Sequence, residues 1–147
     1  MIRRLSGINV ILLFIVISWG AFVRAFGAGL GCGDDWPLCN DQIIPTNLYL
    51  LPVFLEYIHR LIALMVWISV TLLLYIVLKY YRHVKIYVKW SLILFILLYV
   101  QIFFGMIVVF YHLNPILSAI HLALATLTFG VSIILYIYSN IVGEGST

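Results

Sequence analysis

Charged residues are scarce in this sequence, and their scarcity excludes the commonest class of protein. Charged side chains make up 9% of the 147 residues and hydrophobic ones 65%, and the mean hydropathy is +1.19. A soluble globular domain has about a quarter charged residues and about half apolar ones. The composition therefore excludes an ordinary soluble domain and indicates a protein that lies in a bilayer.

Long polar stretches are also lacking, and four apolar stretches fill most of the chain. They cover about residues 7–26, 53–78, 90–111 and 116–139, and each exceeds or approaches the roughly 20 helical residues that cross a bilayer. They predict an all-α membrane protein, a bundle of four transmembrane helices that forms one domain over residues 1–147 and leaves no room for a soluble domain. No span is broken in a paired way by proline or glycine near mid-membrane, which argues against a transporter.

Lysine and arginine are absent from two of the three links between these stretches. Neither residues 27–52 nor residues 112–115 contain one; apart from Arg24 and Arg60, the basic residues precede the first span or lie between the second and third. Because cytoplasmic loops carry the excess of Lys and Arg, we expect a cell-membrane protein with both termini in the cytoplasm and the loop 27–52 outside. Basic residues at helix ends form no soluble basic face, so nucleic acid is not an expected partner.

Cysteine occurs only twice, at Cys32 and Cys39, and both lie in the loop predicted to be outside. An external position favours a structural disulfide, and closing so short a loop stabilises the fold by about 2–3 kcal/mol on the chain-entropy model. The alternative is a pair of thiols that is oxidised and reduced during function. Metal binding is disfavoured because the loop has no histidine or further cysteine.

Two histidines within the spans occupy matched positions in a weak internal repeat of helix pairs. His59 and His121 each follow an isoleucine and precede an alanine by four residues, and Gly20 and Gly105 match in the first and third spans. At 1.5 Å per residue, both histidines lie about 10 Å below the outer ends of their helices. Facing imidazoles at one depth suit bis-histidine heme ligation in a helical bundle. A lone intramembrane histidine is as well explained by packing, but the match of two favours ligation.

Four further polar residues are candidates for this site. Glu56 precedes His59 by three residues, so it lies on the same helical face one turn nearer the outside, and we expect it to point toward the edge of the ring. Arg60 and Arg24 are expected to meet heme propionates or the loop aspartates through forked hydrogen bonds. Gln101 is the remaining intramembrane polar side chain expected to face the interior.

Several segments, taken in order, resemble the heme A synthase family over most of the chain. They are GAFVRAFGAGLGCGDDWPLCN, EYIHR, QIFFG and IHLALA. That family oxidises a ring methyl group of heme O to a formyl group, giving the heme A of terminal oxidases. The resemblance implies that His59 and His121 bind heme, either heme b or the substrate heme O, that Glu56 takes part in catalysis, and that Cys32 and Cys39 form a disulfide.

The chain departs from the family pattern in its size. Most familiar members have eight spans in two such halves, and this chain corresponds to one half. Either two or more copies associate, or one site serves alone with an external electron acceptor; heme O synthase is a further expected partner beside the lipid. The main alternative is a non-enzymatic b-type cytochrome, which needs both histidines but neither Glu56 nor a stapled loop. A structural or assembly subunit that binds no cofactor would explain neither the pairing of the two histidines nor their matched depth.

Overall fold

A computed structural model of the chain describes residues 1–144, with the side chains of residues 1–141. It consists of four helices, α1 (Ile2–Ala25), α2 (Leu51–Tyr80), α3 (Lys85–Phe110) and α4 (Pro115–Glu144). Each is long and apolar enough to cross a membrane, so the predicted all-α membrane bundle is confirmed. The single domain predicted over residues 1–147 stays a prediction, and its residues 145–147 lie outside the described residues.

The first and third helices end in the same backbone motif. In α1, Ala28 N–H donates to Val23 O at 2.9 Å and Gly27 N–H to Arg24 O at 3.1 Å; in α3, Leu113 N–H donates to Val108 O at 2.9 Å and His112 N–H to Val109 O at 2.9 Å. Both are Schellman turns, in which a residue of positive φ reverses the chain. Gly27 (φ 62°) adopts this conformation freely, whereas His112 (φ 48°) adopts it with a side chain. The matching helix ends support the weak sequence repeat.

The four helices form a closed ring of neighbours. α1 packs against α2 and α4, and α3 packs against the same two helices. Within the described part of the chain, the Cα atoms of α1 and α3, and those of α2 and α4, stay more than 8 Å apart. The helices that carry the two histidines, α2 and α4, therefore face each other along a diagonal of the bundle.

The tightest packing lies toward the end of the bundle that carries the N-terminus. Leu73, Leu94 and Leu135 are fully buried there, and the Ser6 and Ser139 hydroxyls hydrogen-bond between α1 and α4 at 3.0 Å. Small residues and interhelical hydrogen bonds hold membrane helices together where lipid supplies no hydrophobic driving force. The polar side chains of the predicted site lie toward the opposite end of the bundle.

A disulfide-bonded loop lies directly on the first turn of α2. Cys32 and Cys39 are joined, with their Cα atoms 4.4 Å apart. Gly31 approaches the helix so closely that a Cβ atom built on it would lie 2.3 Å from the carbonyl carbon and oxygen of Pro52. Only glycine fits this approach, which fixes the height of the loop above α2.

Replacing Gly31 with alanine is expected to push the loop off α2, because the clashing atoms belong to the backbone. The free energy of unfolding should fall by roughly 1–3 kcal/mol, measured as a lower thermal midpoint in detergent. Gly130→Ala in α4 is the matched control, since its added Cβ meets nothing within 4 Å. Equal midpoints for the two variants would contradict the close approach.

Candidate functional site between the diagonal helices

Each histidine ring is seated on a glycine of the neighbouring helix. A Cβ atom built on Gly20 of α1 would lie 3.0 Å from Cε1 of His59, and one built on Gly105 of α3 would lie 3.1 Å from Cε1 of His121. The two contacts use the same ring atom and nearly the same distance. The helix pairs α1–α2 and α3–α4 therefore hold their imidazoles in equivalent ways.

The two imidazoles lie on the diagonal helices α2 and α4. Both histidines are half-buried. Both Nδ1 atoms are enclosed and have no hydrogen-bond partner among the described residues. Because a pair of imidazoles supplies two ligand atoms, a metal bound by them takes its other ligands from elsewhere, as the iron of a porphyrin does.

Glu56 is 4% exposed and is bound on both carboxylate oxygens. Its Oε2 accepts a hydrogen bond from the Cys32 N–H at 2.8 Å, and its Oε1 pairs with Nη2 of Arg60 at 2.5 Å. A buried carboxylate needs such partners, since an unpaired charge is strongly destabilising in low dielectric. The side chain that we expected to point toward a ring edge is directed at the disulfide loop.

Arg60 also binds the loop rather than the predicted aspartate side chains. Its Nη1 donates to the main-chain carbonyl oxygen of Asp35 at 2.7 Å and to that of Leu38. The guanidinium thus connects Glu56 to the backbone on both sides of Pro37. This geometry corrects the expected contact with aspartate carboxylates: Asp35 contributes its carbonyl group.

The remaining predicted residues divide between the interior and the surface. Gln101 lies in the interior, with its Nε2 3.2 Å from Nε2 of His121. Arg24 is exposed in the last turn of α1. Cys32 and Cys39 are both buried beneath the loop surface.

Two contacts escaped the sequence analysis. The indole N–H of Trp19 donates to the Leu55 carbonyl oxygen at 2.9 Å and ties α1 to the first turns of α2. His112 Nδ1 lies 3.3 Å from Oδ1 of Asp34, an exposed contact between the disulfide loop and the α3–α4 link. Neither has a sequence signal, because each joins a common side chain to a group that folding brings near.

Comparison with known proteins identifies the family. A family model described as cytochrome oxidase assembly protein (COX15-CtaA) matches residues 3–144. The chain belongs to this family. Heme A synthases from Bacillus cereus (strain AH187), Bacillus anthracis (strain A0248) and Bacillus thuringiensis subsp. konkukian (strain 97-27) are each 36% identical over 134 residues. The alignment covers 91% of this chain and 43% of each of theirs, so this family member spans less than half the length of these curated relatives. The resemblance inferred from the motifs is confirmed.

Replacing Arg60 with methionine should expose the disulfide of this family member to reductants. The variant leaves the Glu56 carboxylate without its cationic partner and removes two hydrogen bonds to the loop, so we expect reduction to accelerate by at least about tenfold. A time course of thiol alkylation followed by mass spectrometry measures it. Arg24→Met, at an exposed position on α1, is the control and should match the unaltered protein. Identical rates for all three proteins would show that Arg60 does not hold the loop.

Proposed function

We propose that this chain oxidises the ring methyl group of heme O to a formyl group and so produces heme A. The observation that carries the proposal is the equivalent seating of His59 and His121 on diagonal helices. Two imidazoles arranged in this way suit axial ligation of iron from opposite faces of a flat ring. We infer the type of reaction from the relatives that are named heme A synthase.

The bundle offers a fitting environment for the substrate. Gly20 and Gly105 allow close approach of the neighbouring helices to the imidazoles, and Ala63 and Ala125, four residues after each histidine, leave room on the same helical faces. The apolar hydroxyethylfarnesyl tail of heme O favours entry from the lipid. Arg24, exposed at the loop end of α1, is available to a propionate; Arg60 is already engaged by the loop.

Glu56 is the residue that we propose for proton transfer. Oxidation of a methyl to a formyl group with water as the source of the oxygen atom releases protons together with the electrons that pass to the acceptor, so the site needs a proton acceptor. The sequence has no other Asp or Glu between residues 53 and 139, and Glu56 lies one helical turn from His59 on the same face. Its bonds to Arg60 and to the Cys32 N–H support an ionised carboxylate that anchors the loop and accepts protons.

The orientation and the partners are part of the same proposal. The distribution of Lys and Arg supports cytoplasmic termini and an external disulfide loop in the cell membrane. The electrons leave either to heme b in an associated copy of the chain or to an external acceptor. Heme O synthase is the proposed source of the substrate, and the disulfide is proposed to be structural.

The deciding experiment is to purify the protein from cells that make heme O and to separate the extracted pigment by chromatography with mass detection. Heme A or its hydroxylated precursor is the expected result. Protoheme alone, unchanged when heme O is added, would favour the b-type cytochrome. The buried Glu56 beside a ligand favours the enzyme, because an electron carrier has no use for a proton acceptor there.

Glu56→Gln should keep the low-spin heme spectrum but lower formyl production by about 100-fold or more, since general base catalysis contributes that much. The amide also weakens the loop contact, so Gly31→Ala is the matched control: it loosens the same loop and retains both Glu56 and its Arg60 partner. We expect Gly31→Ala to lose distinctly less product than Glu56→Gln. Equal losses would mean that Glu56 acts only by holding the loop.

A further inference from the structure

We propose that Gln101 makes the two heme ligands unequal by competing with the iron for Nε2 of His121, so that His121 is the exchangeable ligand and His59 the permanent one. This inference rests on the heme site of the proposed function. It assigns Gln101 the part of a positioning residue, which acts through His121.

The contact uses the ring nitrogen that remains available. Nδ1 of His121 is enclosed and without a partner in the described structure, whereas Nε2 lies 3.2 Å from the Gln101 amide nitrogen. The other amide atom, Oε1 of Gln101, is buried and makes no hydrogen bond to any described residue. The amide is therefore engaged with His121 and with no other described side chain.

The first helix pair lacks this contact. Gln101 precedes Gly105 by four residues, and Val16 precedes Gly20 by four, so valine stands at the equivalent sequence position in the first pair. The valine side chain has no hydrogen-bonding atom, and Nδ1 of His59 has no hydrogen-bond partner among residues 1–141. The glycine seats of the two rings are equivalent. The amide of Gln101 is therefore a hydrogen-bonding neighbour that only the second ring has, whereas the charged Glu56–Arg60 pair next to His59 is bound to the disulfide loop.

A single ring nitrogen cannot bind iron and the amide together. Released from a bound heme, His121 would accept a hydrogen bond from the Gln101 amide, whereas a released His59 would have no such partner. A typical net hydrogen bond corresponds to about fivefold in an equilibrium. Entry of substrate and release of product would each require both histidines to leave the heme, and one exchangeable ligand would lower that barrier.

Binding of carbon monoxide to the reduced heme protein tests the inference, because the gas binds only after one imidazole has left the iron. Gln101→Met keeps the size of the side chain and removes its hydrogen bond, so we expect the fraction of heme open to carbon monoxide, and with it the observed rate, to fall about fivefold. Val16→Met makes a similar change beside His59 and should leave the rate unchanged. Equal rates in Gln101→Met and the unaltered protein, both with low-spin spectra, would overturn the proposal.

The main comparison of a second measurement uses no Gln101 variant. The His121→Ala variant retains His59, and the His59→Ala variant retains His121 with its hydrogen bond to Gln101. Heme titration should show that His121→Ala binds heme about fivefold more tightly than His59→Ala. Adding Gln101→Met to His59→Ala should remove the difference. Equal affinities of the two single-histidine variants would overturn the inference alone, whereas an unaltered protein that binds no heme would overturn the proposed function itself.

Discussion

The pairing of one buried carboxylate organises the loop end of this protein. Glu56 is almost fully enclosed, and it is bound by the Arg60 guanidinium and the Cys32 N–H. An unpaired carboxylate in this position would destabilise the fold by several kcal/mol, so the loop and α2 must assemble together. The disulfide limits the freedom of the loop, and Gly31 lets it reach the helix. His59, one turn further along α2, thereby lies beneath a defined cap.

The two helix pairs share a framework and differ in polar chemistry. α1 and α3 end in the same turn, and each offers a glycine to a histidine ring. At the position of Glu56, the second pair has Ser118, whose hydroxyl donates to the Leu113 carbonyl oxygen of its own link at 3.4 Å. The side chain at this position thus hydrogen-bonds to an interhelical connection in both pairs. Only in the first pair is that side chain charged. The proposed proton transfer belongs to the first pair and the proposed ligand exchange, through Gln101, to the second.

Hydropathy was enough to predict the four helices, and repeat spacing was enough to single out Gly20 and Gly105 together with the two histidines. These features follow from bilayer thickness and helical period, which act on every residue alike. Each helix extends beyond its predicted span at one end or at both, because a helix continues past the hydrocarbon layer; α2, for example, runs from Leu51 to Tyr80. The partners of Arg60 could not be predicted, since the carbonyl groups that it binds belong to a loop whose path depends on the disulfide, Pro37 and Gly31.

The distinction between an enzyme and an electron carrier depends on whether the heme leaves. A cytochrome is best served by two ligands that hold the iron equally and by apolar surroundings, because any competing partner weakens the complex. A chain that converts heme needs a proton acceptor and a route for release, and both carry a cost in stability. Glu56 requires a dedicated arginine and a loop amide, and Gln101 leaves its carbonyl oxygen buried without a described partner. Two such costs within one small bundle accord with the proposed turnover of heme, whereas electron transfer alone gives no reason for them.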